Sequence, residues 1–229
     1  MAKERFQTLI FDLDDTLIPT SEVLIPQAVQ EVFQILSSNG LGWDFKTFEA
    51  YRKKHMAHWS HREILTNIID ENHLSPKSHI FESGLKAFYQ VELPARIPLL
   101  PEVASTLQYL KPRYQLFLLT AGEENTQAEK ILRAGLKDFF HEIKIVGSLE
   151  KKDKKESIAQ WILQKKIEPE KTLSIGNRLK DEIRVSKSLG LHTCWFKYGE
   201  HADESPTEPD EKPDYEVAYH SELVSTCKL

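Results

Sequence analysis

Residues 11–20 read FDLDDTLIPT. The strand-like, largely apolar run from Phe6 to Leu13 leads into three carboxylates in four positions, Asp12, Asp14 and Asp15. Carboxylates this close repel one another and resist removal from water. The crowding is useful only if a partner of opposite charge is to be held at the end of that strand.

Further short runs of apolar, β-branched and aromatic residues recur along the chain: YQLFLLTAG, EIKIVGS, KTLSIGN, HTCWFKYG and DYEVAYH, after FQTLIFD at the start. Each reads as a strand buried on both faces, the pattern of a parallel sheet. Amphipathic stretches of helix length separate them, at 123–135, 153–166 and 179–189. Strand and helix in alternation predict an α/β fold, a Rossmann-like doubly wound and mostly parallel sheet.

One region breaks the alternation. From about Pro19 to Ile97 only helical candidates occur, among them PQAVQEVFQILSSNG and TFEAYRKKHMAHWSHREILTNIIDEN. Asn39-Gly40 is expected to end the first of these. The proline-spaced segment ELPARIPLLPEV closes the region, with Pro101 where a helix would start. The chain therefore divides into an α/β core of residues 1–18 and 98–229 and an inserted, all-helical cap of residues 19–97. The acidic, proline-containing stretch 199–214 is expected to be a solvated loop.

The chain has 229 residues, 40% hydrophobic and 28% charged, with a net charge of −5. This composition suits a globular protein and argues against a general nucleic-acid binder. No apolar run reaches the roughly 20 residues that span a bilayer, so no membrane association is expected. The N-terminus lacks the pattern of a signal peptide. Only two cysteines occur, Cys194 and Cys227, which are expected to be reduced thiols in a cytoplasmic protein.

In an open parallel sheet, ligands bind beyond the carboxyl ends of the strands. Those ends carry Asp12 and Asp14, then Thr120-Ala121-Gly122, then a lysine run after Gly147, then Gly176-Asn177 with Asp181 and Glu182 following. Asp12 and Asp14, two residues apart, can lean toward one spot. Held close, they divide into one ionised nucleophile and one proton carrier. Hard oxygen donors suit Mg²⁺, which relieves the repulsion and can bridge a phosphoryl oxygen. Thr120 and the backbone N–H groups after it could hold phosphoryl oxygens. A lysine of EKKDKKE (150–156) could neutralise developing charge, and Asn177 and Asp181 could complete a metal shell.

Together these motifs resemble the haloacid dehalogenase (HAD) superfamily, and in particular its phosphatases. DLDDT at 12–16 is similar to the first motif, DxDxT; LLTAG at 118–122 to the second; Lys152 fits the third; IGNRLKDE at 175–182 is similar to the fourth. GEENTQAEKILRAGLKDFF is similar to the helix that follows the second motif, and the resemblance runs from about residue 6 to residue 199. It implies that Asp12 attacks phosphorus, that Asp14 serves as acid and then base and offers its main-chain carbonyl to Mg²⁺, and that Thr120 and Ala121 hold the phosphoryl group. It also implies that Lys152 stabilises Asp12 and the transferred charge. Asp15 is expected to turn away and brace the turn.

Two departures stand out. Asn177 occupies a position where Asp is usual, and Asp181 and Glu182 both fall at allowed spacings for the second acid, Asp181 being preferred. Lys151, Lys154 and Lys155 lie beside Lys152, which is preferred because it precedes an Asp. The insert falls where the family carries a C1 cap, a lid that selects small substrates. The expected function is Mg²⁺-dependent hydrolysis of a small phosphomonoester through an aspartyl-phosphate. Alternatives are a phosphomutase, the dehalogenase chemistry of the same fold, or a phosphoryl-binding protein weakened at Asn177. Asp14 speaks against the dehalogenase. In the cap, His55, His58 and His61 drift around a helix face and are not expected to hold a metal; His58 or Trp59 is a candidate lid residue. Trp43, Trp161 and Trp195 are expected to be core anchors.

Overall fold

A computed structural model describes residues 5–56, 59–147 and 154–229. Six strands form one parallel sheet: β1 (Thr8–Phe11), β2 (Gln115–Gly122), β3 (Glu142–Gly147), β4 (Thr172–Gly176), β5 (His192–Phe196) and β6 (Tyr215–Val217). The order is β3-β2-β1-β4-β5-β6. The chain thus builds outward from β1 in one direction, then returns and builds outward in the other. The switch falls between β1 and β4, where such sheets open a crevice at their carboxyl ends.

Alternation along each strand explains why both faces are apolar. Leu9 and Phe11 of β1 and Leu116 and Leu118 of β2 join one core cluster, whereas Ile10, Phe117 and Leu119 join another. The chain therefore needs helices on both sides of the sheet.

Two compact units are formed, Met1–Ser21 with Leu93–Leu229, and Glu22–Glu92. Helix α1 (Thr20–Val23) spans the first junction. The helical unit contains α2 (Ile25–Ser38), α3 (Phe45–Met56), α4 (His61–Glu71) and α5 (Lys77–Tyr89). Its apolar stripes, including Val29, Val32, Leu36, Ile64, Ile68 and Ile80, are buried. Ser60 and Glu63 form a reciprocal capping box that starts α4. His55 stacks on Trp59 at 4.1 Å and His61 on Phe88 at 4.3 Å. His58 lies outside the described residues. Trp43, expected in the core, is only half-buried and lies against Tyr51 at 5.1 Å.

In the α/β unit, α6 (Val103–Leu110), α7 (Glu124–Arg133) and α10 (His220–Cys227) contribute to one core cluster. Helices α8 (Lys154–Lys165) and α9 (Val185–Ser188) cover the opposite face, where Trp161 is fully buried against Phe117 at 4.9 Å. Trp195 is buried with Leu179 and Ile183. The stretch predicted as one helix at 179–189 begins instead as a π-helical segment, Leu179–Arg184, before α9. The acidic stretch 199–214 is less solvated than its composition suggests. Glu211 is buried and accepts hydrogen bonds from the Thr207 N–H and hydroxyl, and Glu204 accepts one from the Leu179 N–H. Glu204 ties the stretch to the Leu179 backbone, and Glu211 closes a turn within it. Among the described residues no helix is long and apolar enough to cross a membrane.

Candidate active site

The first strand delivers Asp12 to the crevice. Its N–H donates to the Ile175 carbonyl at 2.9 Å, which ties the end of β1 to β4. A tight turn follows: the Leu17 N–H donates to the Leu13 carbonyl, and Asp15 adopts a φ of +55°. That turn separates the three carboxylates. Asp15 points to Ser21, whose N–H and hydroxyl both donate to it, in keeping with a bracing role. Burial pushes its carboxyl up to about 6, against the Ser21 hydrogen bonds.

Asp12 and Asp14 have different partners. Asp12 accepts from the Lys154 ammonium at 2.6 Å, and the same ammonium reaches Glu182 at 2.5 Å. All three side chains are buried. Burial pushes the Asp12 carboxyl up to about 7; Lys154 opposes this, while Glu182 and Asp14 add to it. Burial also works against the charge on Lys154, but Asp12 and Glu182 outweigh it and keep the ammonium protonated.

Asp14 accepts from Lys130 at 2.8 Å, Gln127 at 2.8 Å and the Thr20 hydroxyl at 2.5 Å. Burial raises its proton affinity, yet Lys130 and these hydrogen bonds hold the carboxyl below the usual range. Gln127 also donates to the Thr120 hydroxyl at 2.5 Å, which joins the ends of β1 and β2 through one amide. Gln127 and Lys130 lie three residues apart on α7 and so share a face. A Cβ at Gly122 would fall 2.7 Å from Gln127 Cγ, so this close approach requires glycine.

On β4, Asn177 is buried and its carbonyl accepts from the Trp195 indole at 2.9 Å. Glu182, not Asp181, reaches Asp12's ammonium partner. Asp181 is half exposed and pairs with Arg178 at 2.5 Å. The π-helical segment sets this phase, with the Ile183 N–H donating to the Arg178 carbonyl five residues back. Glu182 is then held by the Arg178 N–H at 2.6 Å. A Cβ at Gly176 would lie 2.4 Å from Glu182 Cγ. Gly176→Ala is therefore expected to displace Glu182, costing about 1–3 kcal/mol of stability and roughly tenfold or more in kcat/KM. Thermal denaturation and steady-state kinetics check both effects.

Of the predicted residues, the structure links Asp14 and Thr120 through Gln127 and sets Asp12 beside them, while Asn177 follows β4, the strand next to β1. Ala121 follows Thr120 on β2, and Lys152 lies outside the described residues. Lys154, Glu182, Lys130, Gln127 and Thr20 complete the arrangement.

The donor chemistry fits Mg²⁺. The Asp12 carboxylate, the Asp14 main-chain carbonyl and the Asn177 amide are hard oxygen donors at the ends of β1 and β4. Among the described residues, three carboxylates (Asp12, Asp14, Glu182) pair with two ammonium groups (Lys130, Lys154), and the Arg178 guanidinium also acts on Asp12 and Glu182. A divalent cation among these oxygen donors would relieve the repulsion between Asp12 and Asp14. Asp181, committed to Arg178, is not grouped with these donors. Among the described residues no cluster of three or more His, Cys, Asp or Glu forms a metal cage. Mg²⁺ needs none, because it keeps water ligands and uses one or two carboxylates.

Comparison with known proteins follows the same lines. A sequence model of the haloacid dehalogenase-like hydrolases matches residues 6–190. The glyceraldehyde 3-phosphate phosphatase of Pyrococcus furiosus is 30% identical over 234 residues, covering 98% of this chain and 94% of that protein. The enzyme of the same name from Methanopyrus kandleri is 27% identical over 232 residues, covering 97% of each. Among solved structures, a haloacid dehalogenase-like family hydrolase from Streptococcus pneumoniae superposes with a TM-score of 0.70 at 21% identity, covering 97% of this chain and 99% of that one. YfnB of Bacillus subtilis, solved bound to magnesium, gives 0.65 at 19% identity, covering 96% and 98%. With its motifs in order along a sheet of this topology, the chain belongs to the haloacid dehalogenase-like hydrolases.

Proposed function

We propose that this hydrolase is a Mg²⁺-dependent phosphatase that cleaves a small phosphomonoester through an aspartyl-phosphate on Asp12. The observation that carries the reading is the division of labour between two carboxylates at the end of β1. Asp12 is paired with a buried ammonium, and Asp14 is held separately by Lys130, Gln127 and Thr20.

In the first half-reaction an Asp12 oxygen forms a bond to phosphorus as the ester P–O bond breaks. The leaving alkoxide takes a proton from Asp14; Lys130 and Gln127 hold this carboxyl ionised before substrate arrives, so it takes that proton up as the negatively charged phosphoryl group enters beside it. In the second, water attacks the same phosphorus and gives its proton to Asp14, which releases phosphate and restores the Asp12 carboxylate. Lys154 balances the charge on Asp12 and the transferring group, and Glu182 holds Lys154 in place. Thr120 and the main chain at Ala121 orient the phosphoryl oxygens. Asp12, the Asp14 carbonyl and Asn177 would hold Mg²⁺, which supplies neutralising charge to the phosphoryl group when bound.

The relatives named glyceraldehyde 3-phosphate phosphatase make a three-carbon phosphate the first substrate to try. The helical unit, inserted in the chain directly after the β1 carboxylates, is the part to which we assign the choice of alcohol. Two buried free cysteines suit a reducing, cytoplasmic setting. The phosphoryl-binding alternative rests on Asn177 alone, while Asp12, Asp14 and a buried lysine are all in place.

The test is phosphate release from glyceraldehyde 3-phosphate and a generic aryl phosphate, with Mg²⁺ and with EDTA. Turnover with Mg²⁺ and none with EDTA is expected; no release from any small phosphate ester at saturating Mg²⁺ would contradict the reading. Asn177→Asp adds a negative charge to the donor set. It is expected to tighten the apparent Mg²⁺ affinity about tenfold, read from the Mg²⁺ dependence of turnover.

A further inference from the structure

At the opposite end of the strands a second concavity is formed. A cleft of about 530 Å³ opens at the amino ends of β1 and β2, lined by Lys111, Arg113, His141, Lys165, Lys166 and Glu168, among others. It lies about 13 Å from Asp12, the length of the four-residue β1. Its volume falls in the range of small-molecule sites.

The charge balance is one-sided. Glu168, the one acid in the described lining, pairs with Lys171 at 2.6 Å. Lys165 pairs with Glu142 at 2.8 Å. Lys111 donates to the Asp138 carbonyl, and Arg113 donates to the Tyr109 carbonyl and stacks on the Tyr109 ring at 3.9 Å; among the described residues neither is paired with a carboxylate. Among the described residues Lys166 pairs with no carboxylate. His141 adds a donor: its Nδ1 accepts from the Leu116 N–H at 3.1 Å, so the ring proton sits on Nε2. This concentration of positive charge occurs in a chain whose net charge is −5.

We propose that this cleft binds a small anion carrying two or more phosphoryl groups, at a site separate from the carboxylate centre. Two ammonium groups (Lys111 and Lys166), a guanidinium and an imidazole N–H match the oxygens of a diphosphate. The volume exceeds the needs of a single phosphate. A competing use of the same charges exists, because α6 and α8 both end here and lysines complement carbonyl ends of helices. Binding measurements separate the two. The inference does not rest on the phosphatase reading.

Inorganic pyrophosphate is titrated into the ¹⁵N-labelled full chain in EDTA, with sulfate at equal ionic strength as control. Saturable amide shifts are expected at Gln7, Gln115 and Lys166, stronger for pyrophosphate than for sulfate, and weakening as salt is added. Lys111→Glu with Arg113→Glu is expected to weaken binding at least about tenfold. Lys166→Gly provides a variant that does not strain the fold: Lys166 has a φ of +55°, a conformation that glycine adopts freely. It is expected to weaken binding about threefold with the melting temperature retained. Three results would each overturn the proposal: shifts confined to Thr120, Ala121 and Gly176; equal shifts with sulfate; or unchanged affinity in the charge-reversed variant.

Discussion

Lys154→Met is expected to lower kcat/KM by at least about a thousandfold and to destabilise the metal-free protein by about 3–5 kcal/mol at pH 8. Lys154 is the ammonium placed between Asp12 and Glu182, at 2.6 and 2.5 Å. Methionine fills a similar volume but leaves two buried carboxylates facing each other without a counter-charge. The structural penalty should shrink toward pH 6, because Asp12 can then take a proton and become neutral. Lys152→Ala is the companion variant, expected to change kcat/KM by less than about threefold. If Lys152→Ala silenced the enzyme and Lys154→Met did not, the pairing of Lys152 with its neighbouring Asp would be the right reading of the third motif.

Asp12→Asn is expected to remove hydrolysis altogether, a loss of at least about ten-thousandfold, because an amide is a poor nucleophile toward phosphorus. The same substitution should stabilise the protein in EDTA. The Asp12 carboxyl is raised from 3.8 to about 7, chiefly by burial. Between those values the folded state holds a proton that the unfolded state has released. This group's contribution to stability is therefore complete below pH 4 and is lost as pH rises through 7. Asparagine has no proton to lose. The stability difference between Asp12→Asn and wild type should grow from pH 5 to pH 8, approaching at most about 4 kcal/mol. Urea titrations at several pH values read this directly. A difference that stayed flat would mean that Asp12 is already ionised at pH 5.

The sheet was legible because parallel strands covered on both faces are apolar along most of their length. FQTLIFD, YQLFLLTAG and KTLSIGN could not be mistaken for half-solvated strands, and they became β1, β2 and β4. Asp12, Asp14 and Thr120 followed, since each sits at the end of such a run. The second acid was less legible. Asp181 and Glu182 differ by one residue, and the π-helical segment that turns Glu182 inward is not written in a hydrophobic pattern. Gly176 carried the only local sign, a missing Cβ where Glu182 approaches. Lys152 is preferred for its neighbour in sequence and lies outside the described residues; Lys154 reaches Asp12 from the start of α8. Gln127 and Lys130 were visible as i, i+3 neighbours on a helix directly after β2. Nothing in that spacing named Asp14 as their partner across 113 and 116 residues. In the stretch 199–214, composition suggested solvation, but Glu204 and Glu211 are committed to backbone N–H groups.

The central claim is that Asp12 becomes phosphorylated during turnover. The direct measurement is an acid quench of enzyme, Mg²⁺ and a ³²P-labelled small phosphate ester, followed by hydroxylamine treatment of the protein. Wild type is expected to carry label that hydroxylamine releases, as an acyl phosphate does, and Asp12→Asn to carry none. Label of the same amount on Asp12→Asn, or full turnover by that variant, would contradict the account.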